Sequence, residues 1–246
     1  MTYCVGLALD QGIVMLADTR TNAGVDNIST FSKLAVAEKP GERVIALMSA
    51  GNLAITQAVV TRAIEGPPAP NEEPVHTLFN APSMADAARL IGDAVRDVYA
   101  RDGKALDAQG IAFDADFLLA GQIKGKRLRL FQIYAAGNFI EATPDTPFLQ
   151  IGEHKYGKPI LDRVARYDTP IEEAVKLACI SMDSTLRSNL SVGLPADLIV
   201  LRRDALVSAR RRISDGDEYF RSLRQGWSAA LRETFLTLPN PPWPLG

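Results

Sequence analysis

Cysteine and histidine are nearly absent: the 246 residues include only Cys4, Cys179, His76 and His154 of these types. Two cysteines cannot form a disulfide scaffold in a chain this long, so a reducing cytoplasm is expected. The two histidines stand far apart without His or Cys partners at ligand spacing. That excludes an ordinary zinc site and leaves Ser-His and Cys-His nucleophile pairs incomplete. No apolar run reaches the roughly 18 residues that cross a bilayer, and Met1-Thr2-Tyr3-Cys4-Val5-Gly6 lacks the basic and apolar regions of a signal peptide. An excess of one charge is missing too: Lys+Arg total 27 against 29 Asp+Glu, a net charge of −2. Neither nucleic acid nor an acidic membrane is an expected partner. The one dense basic run, Arg210-Arg211-Arg212, has no interleaved aromatics and reads as a solvated face or a subunit contact.

With 47% hydrophobic and 23% charged residues, the composition fits one globular unit over 1–246, in which 213–246 form a C-terminal helix and a Pro-rich tail. At this length about 70–75% of the unfolded surface can be buried, so no structural metal or cofactor is required. Tyr3 to Leu9 and Ile13 to Ala17 flank Asp10-Gln11-Gly12 as a hairpin. Leu34 to Glu38 and Arg43 to Met48 flank Lys39-Pro40-Gly41-Glu42, with Pro and Gly placed for a type II turn. The period then changes. A helix is expected from Leu53 to Ala63, ended by Gly66-Pro67-Pro68, with a loop to Pro74; a second opens at Ser83, with Met84, Ala87, Ala88, Ile91, Ala94, Val95, Val98 and Tyr99 as its buried stripe.

Strands return at Phe117 to Gln122, Leu128 to Ala135, Phe139 to Ala142 and Phe148 to Gly152. Ile160 to Arg163 reads as a short helix, and Thr169 as the N-cap of a long one through Met182. Leu198 to Leu201 and Ala205 to Ala209 give a last strand pair, and Tyr219 to Phe235 a final amphipathic helix. Tight hairpins and the lack of βαβ alternation predict an α+β fold, two antiparallel sheets flanked by helices.

Chemistry points to the N-terminus. Thr2 follows the initiator Met1 and is small enough for methionine removal, which leaves a hydroxyl and a free α-amine on one residue. The amine can take the hydroxyl proton, directly or through one water. With a reference pKa of about 7.7–8.0 it is partly neutral at pH 7, and a nearby lysine would lower that value further. Downstream stand Asp18-Thr19-Arg20, then Lys33 before the second hairpin, and Ala50-Gly51 before a helix.

This arrangement resembles the catalytic β-subunits of proteasomes, which are N-terminal nucleophile hydrolases. The wording of Met1 to Gly6, Asp18 to Asp26, Ile28-Ser29-Thr30-Phe31 and Ser181 to Gly193 is similar to the bacterial proteasome-like family called Anbu, over most of the chain to about residue 212. The resemblance implies a four-layer αββα sandwich. Carried over by position, it makes Thr2 nucleophile and base. Lys33 becomes the cation that lowers the basicity of the amine, Asp18 its anchor and the Gly51 N–H an oxyanion donor. Asp183 would orient the amine, and Ser191 would be the helper serine. Thr21, Phe31, Ala35, Ser49 and Leu53 would line a pocket without strong charge preference.

The resemblance also implies a homo-oligomer, an open helical ring rather than a closed barrel, acting on a peptide or small amide beside ATP-grasp and transglutaminase-like partner proteins. A vestigial, assembly-forming or peptide-binding homologue is the alternative. One departure stands out. Where the proteasome pattern has Gly-Ser-Gly, this chain has Gly152-Glu153-His154; the run on to Lys158 nearly spells a phosphate loop, but Pro159 follows and offers neither hydroxyl nor N–H. Asp114 and Asp116 read as a solvated pair at a turn, and Cys4 as a small buried apolar residue.

Overall fold

Turn chemistry fixes the two hairpins from which the fold grows. In the computed structural model, which describes residues 1–22, 28–66 and 76–243, β1 (Tyr3–Ala8) and β2 (Gly12–Asp18) pair antiparallel with Cys4 opposite Ala17. The Leu9 N–H closes that turn on the Gly12 carbonyl at 2.8 Å. A short ribbon follows, β3 (Arg20–Asn22) against β4 (Ile28–Thr30). The quoted motif residues 23–27 and the loop expected through Pro74 lie outside the described residues. β5 (Leu34–Lys39) and β6 (Arg43–Gly51) form the second hairpin, its turn closed by Glu42 N–H to Lys39 O at 2.9 Å.

One five-stranded sheet runs β5–β6–β7–β8–β9, with β7 (Ala115–Ile123), β8 (Arg129–Ile133) and β9 (Phe139–Glu141). The other runs β10–β1–β2–β11–β12, with β10 (Phe148–Gly152), β11 (Ala196–Arg202) and β12 (Ser208–Ile213). All pairings in both are antiparallel. The period of two then divides each central strand between two cores. Cys4, Ile13, Met15 and Ala17 meet Val44, Ala46, Met48, Leu118 and Ala120 between the sheets. Ile45, Leu47, Phe117 and Leu119 face outward onto α1 (Leu53–Glu65) and α2 (Met84–Ala108). Tyr3, Val5, Leu7, Val14 and Leu16 face the opposite way onto α3 (Lys158–Val164) and α4 (Ile171–Ser188). Four layers result, helices on sheet on sheet on helices, the expected αββα sandwich. Because both sheets are covered on both faces, β1, β2, β6 and β7 read as nearly unbroken apolar runs rather than alternating ones.

Local expectations fail where tertiary contacts take over. Tyr99 was assigned to the stripe of α2 but is exposed, its ring edge-on to Phe113 with centroids 5.1 Å apart. Thr169 does not cap α4: its hydroxyl instead accepts the Arg166 N–H at 3.0 Å in the preceding turn, and Pro170 takes the cap position. The strand expected at Ala205 to Ala209 starts at Ser208, because Asp204 and Leu206 take φ of 62° and 52° in the turn before it. β8 ends at Ile133, where the Tyr134 N–H turns onto the Asn138 carbonyl at 2.9 Å.

α5 (Glu218–Thr237) is the largest surprise in burial. It is amphipathic, yet Phe220 is its only buried residue, while Leu231, Phe235 and Leu236 are exposed. Asp217 caps it, accepting the Phe220 N–H at 2.9 Å. Trp243, in the tail beyond it, is exposed as well. The Arg run of β12 is neutralised residue by residue, Arg210 on Glu38, Arg211 on Asp217 and Arg212 on Asp197.

Candidate active site

Thr2 precedes β1, so the sheet register fixes where it stands. Tyr3 lies opposite Gly152 at the end of β10, and the Glu153 N–H donates to the Thr2 carbonyl at 2.6 Å. Gly152 holds φ at +77°, and a Cβ there would run into the Thr2 carbonyl oxygen. Only glycine lets the two strand ends approach this closely. Asp18 ends β2 directly beside. Its Oδ1 accepts the Tyr3 N–H at 2.9 Å and Lys33 Nζ at 2.5 Å, and its Oδ2 accepts the Gly193 N–H at 3.3 Å.

Lys33, just before β5, also donates to the Arg20 carbonyl at 2.7 Å. The pair is buried, with side-chain exposures of 4% and 0%. Burial pushes the Asp18 carboxyl above the ordinary carboxylate range, opposed by the charge and hydrogen bond of Lys33 and by the two backbone N–H groups. Burial likewise raises the thiol of Cys4 and the phenol of Tyr3, whose hydroxyl donates to Ser181 Oγ at 2.8 Å. Cys4 is thus inert packing between the sheets.

A cleft of about 840 Å³ opens over Thr2. Of the pocket residues named from the sequence, Thr21, Phe31 and Leu53 line it, as does Gly51; Ala35 and Ser49 do not. Ser49 is buried, with its carbonyl taken by the Cys4 thiol at 3.6 Å. Gly51 ends β6 one residue before Asn52, which caps α1 by accepting the Ala54 N–H at 3.0 Å. The φ of Gly51 is +110°, and a Cβ there would meet the Asp114 carbonyl. Asp18 and Lys33 lie behind the cleft wall rather than on it.

Asp183 and Ser191 are not brought to the cleft. Asp183 is buried on α4 with its two oxygens held by Arg224 of α5 at 2.5 Å and Arg187 at 3.4 Å. Ser191 donates its N–H to Asn189 Oδ1 at 2.9 Å. The cleft has lining that sequence reasoning missed: Ser29, Asn52 and above all Asp114 and Asp116. Burial and then Asp114 hold the Asp116 carboxyl above the usual range. The β6–β7 register puts them there, with Ala50 opposite Asp116. With Glu153, three acidic residues line the cleft and no lysine or arginine does, among the described residues. The lining is thus acidic, whereas the sequence reading expects a pocket without strong charge preference. No group of three potential metal ligands occurs among the described residues, and no described helix is long and apolar enough to cross a membrane.

Face-to-face antiparallel sheets between helix layers, with a strand-leading threonine over a buried lysine–aspartate pair, define a proteasome-like sandwich of the N-terminal nucleophile type. No protein-family profile matches the chain, and no curated protein matches it in sequence. Solved structures do. The chain is 55% identical to Anbu from Hyphomicrobium sp. strain MC1, a Gly-1 mutant, covering 99% of this chain and 100% of that one at a TM-score of 0.90. It is 49% identical to Anbu, the ancestral beta-subunit, from Yersinia bercovieri, with the same coverage at 0.87. It is 45% identical to the Pseudomonas aeruginosa protein described as a helical assembly of the Anbu complex, again with that coverage, at 0.91. The chain belongs to the Anbu family.

Proposed function

We propose that the chain is an N-terminal threonine hydrolase, acting on peptide or small amide bonds through Thr2 once Met1 is removed. The observation that carries this reading is the buried Lys33–Asp18 pair behind the wall of an open cleft, whose Asp18 also holds the N–H of Tyr3, the residue next to the cleft-lining Thr2. A cation fixed there disfavours protonation of the new α-amine and stabilises a threonine alkoxide. The proton of Oγ1 passes to the amine as Oγ1 bonds to the substrate carbonyl carbon. The ammonium then gives its proton to the leaving nitrogen as the C–N bond breaks, and water splits the resulting ester to restore Thr2. The Gly51 N–H is the proposed donor to the oxyanion. The proposed setting is the cytoplasm, and the proposed state a homo-oligomer; the assembled Pseudomonas relative supports the oligomer.

Intact mass and active-site labelling test the reading together. Protein lacking Met1 is expected to take up one equivalent of an epoxyketone on Thr2, and Thr2→Ala none. Equal labelling of both sinks the mechanism. A purified protein that keeps Met1 and labels at no pH supports the second reading, a vestigial, assembly-forming homologue.

A further inference from the structure

Glu153 occupies the place where the proteasome pattern has a serine, and it is buried to 4% exposure against Thr2. Its carboxylate is held by neutral donors only: Oε1 accepts the Lys155 N–H at 3.1 Å and Oε2 accepts Asn189 Nδ2 at 2.9 Å. Among the described residues no lysine, arginine or histidine side chain pairs with it, although each of the other buried carboxylates, Asp18, Asp183 and Asp197, has a basic partner. A buried carboxylate without a counter-charge is costly. The same strand end binds the Thr2 carbonyl through the Glu153 N–H, and both residues line the cleft. Removal of Met1 would create a positive charge on Thr2, its α-ammonium, in the same cleft.

We propose that Glu153 is the counter-charge of the Thr2 α-ammonium, a positioning residue that holds the amine beside its own hydroxyl and sets the pH at which that amine becomes a base. The role in catalysis rests on the threonine hydrolase reading; the charge pair itself does not. Lys33 from the segment before β5 pushes the amine toward its neutral form, and Glu153 pulls it back. Asp18 at the end of β2, Asp114 and Asp116 at the start of β7, Arg20 on β3, and His154 and Lys155 beyond β10 complete the charged and titratable groups around it. Asn189 fixes the carboxylate in place and, through Ser191, ties it to the loop whose Gly193 N–H reaches Asp18.

The test uses the full chain with Met1 removed. Trace acetylation across pH, read by mass spectrometry on the N-terminal peptide, gives the titration midpoint of the Thr2 amine whether or not the protein is active. Glu153→Gln is expected to lower that midpoint by about one pH unit, with Glu153→Asp staying near wild type. Glu153→Ser carries the same expectation as Glu153→Gln, so a folding failure of one leaves the other. The acid limb of epoxyketone labelling should move down with the midpoint. An unchanged midpoint in Glu153→Gln and Glu153→Ser overturns the proposal. A midpoint lowered in both variants, with a wild type that labels at no pH, confirms the charge pair and sinks the hydrolase reading instead.

Discussion

Lys33 Nζ lies 2.5 Å from Asp18 Oδ1, both side chains all but sealed from water. Removing one partner strands the other as a buried charge, at a cost of about 3–5 kcal/mol. Lys33→Met and Asp18→Asn are each expected to lower epoxyketone labelling of Thr2 by about 100-fold or more. Thermal melts should show the double variant less destabilised than the sum of the single ones, because no unpaired charge remains. Additive destabilisation would mean that the two side chains do not act as a pair.

The acidic lining of the cleft has its own consequence for substrates. With Glu153 taken up by the Thr2 amine, Asp114 and Asp116 are left to favour a cationic group in the cleft. Blocked peptides with Lys or Arg before the scissile bond should be cleaved about tenfold faster than their Glu counterparts, a difference of about 1.4 kcal/mol. Asp116→Asn should narrow that ratio, and a kcat/KM comparison over the peptide set reads it directly.

Gly51 couples the cleft to stability. Alanine there would hold a strained positive φ and press its Cβ on the Asp114 carbonyl. Gly51→Ala is expected to cost about 2–3 kcal/mol, seen as a fall in Tm of about 4–10 °C, along with loss of labelling. An unchanged melt would show that the turn into α1 can be rebuilt without glycine.

Asp217 offers a pH test away from the site. The Arg211 guanidinium and the Phe220 N–H hold its carboxyl below the ordinary value of 3.8. Its stabilisation is therefore present in full above that ordinary value and is lost as pH falls through the lower, folded one. Asp217→Ala should cost about 1 kcal/mol in denaturant melts at pH 7. The deficit should shrink as the pH falls through that lowered value.

Much of the sandwich was legible because local and global signals agree. Pro40-Gly41 makes a turn wherever it stands, and the stripe of α2 is buried from Met84 to Val98. Legibility ends where a residue's partner is distant in sequence. Nothing near Asp183 announces Arg224 of α5, which claims its carboxylate across 41 positions. Nothing near Asp114 or Asp116 tells that β7 will pair with the end of β6 and turn both into cleft wall. The apolar side of α5 reads like any core helix; its Leu231, Phe235 and Leu236 are exposed because none of the described residues packs over them.

Met1 stands 62% exposed at the lip of the cleft. While it remains, the nitrogen of Thr2 belongs to a planar peptide group with no basic lone pair. If Thr2 acts as proposed, this one protruding residue would hold the uncut chain silent while leaving it within reach of a trimming enzyme. A buried methionine would have had to leave before the strands closed. An exposed one can be cut after the strands have closed, so under the proposed mechanism folding would not have to wait for trimming.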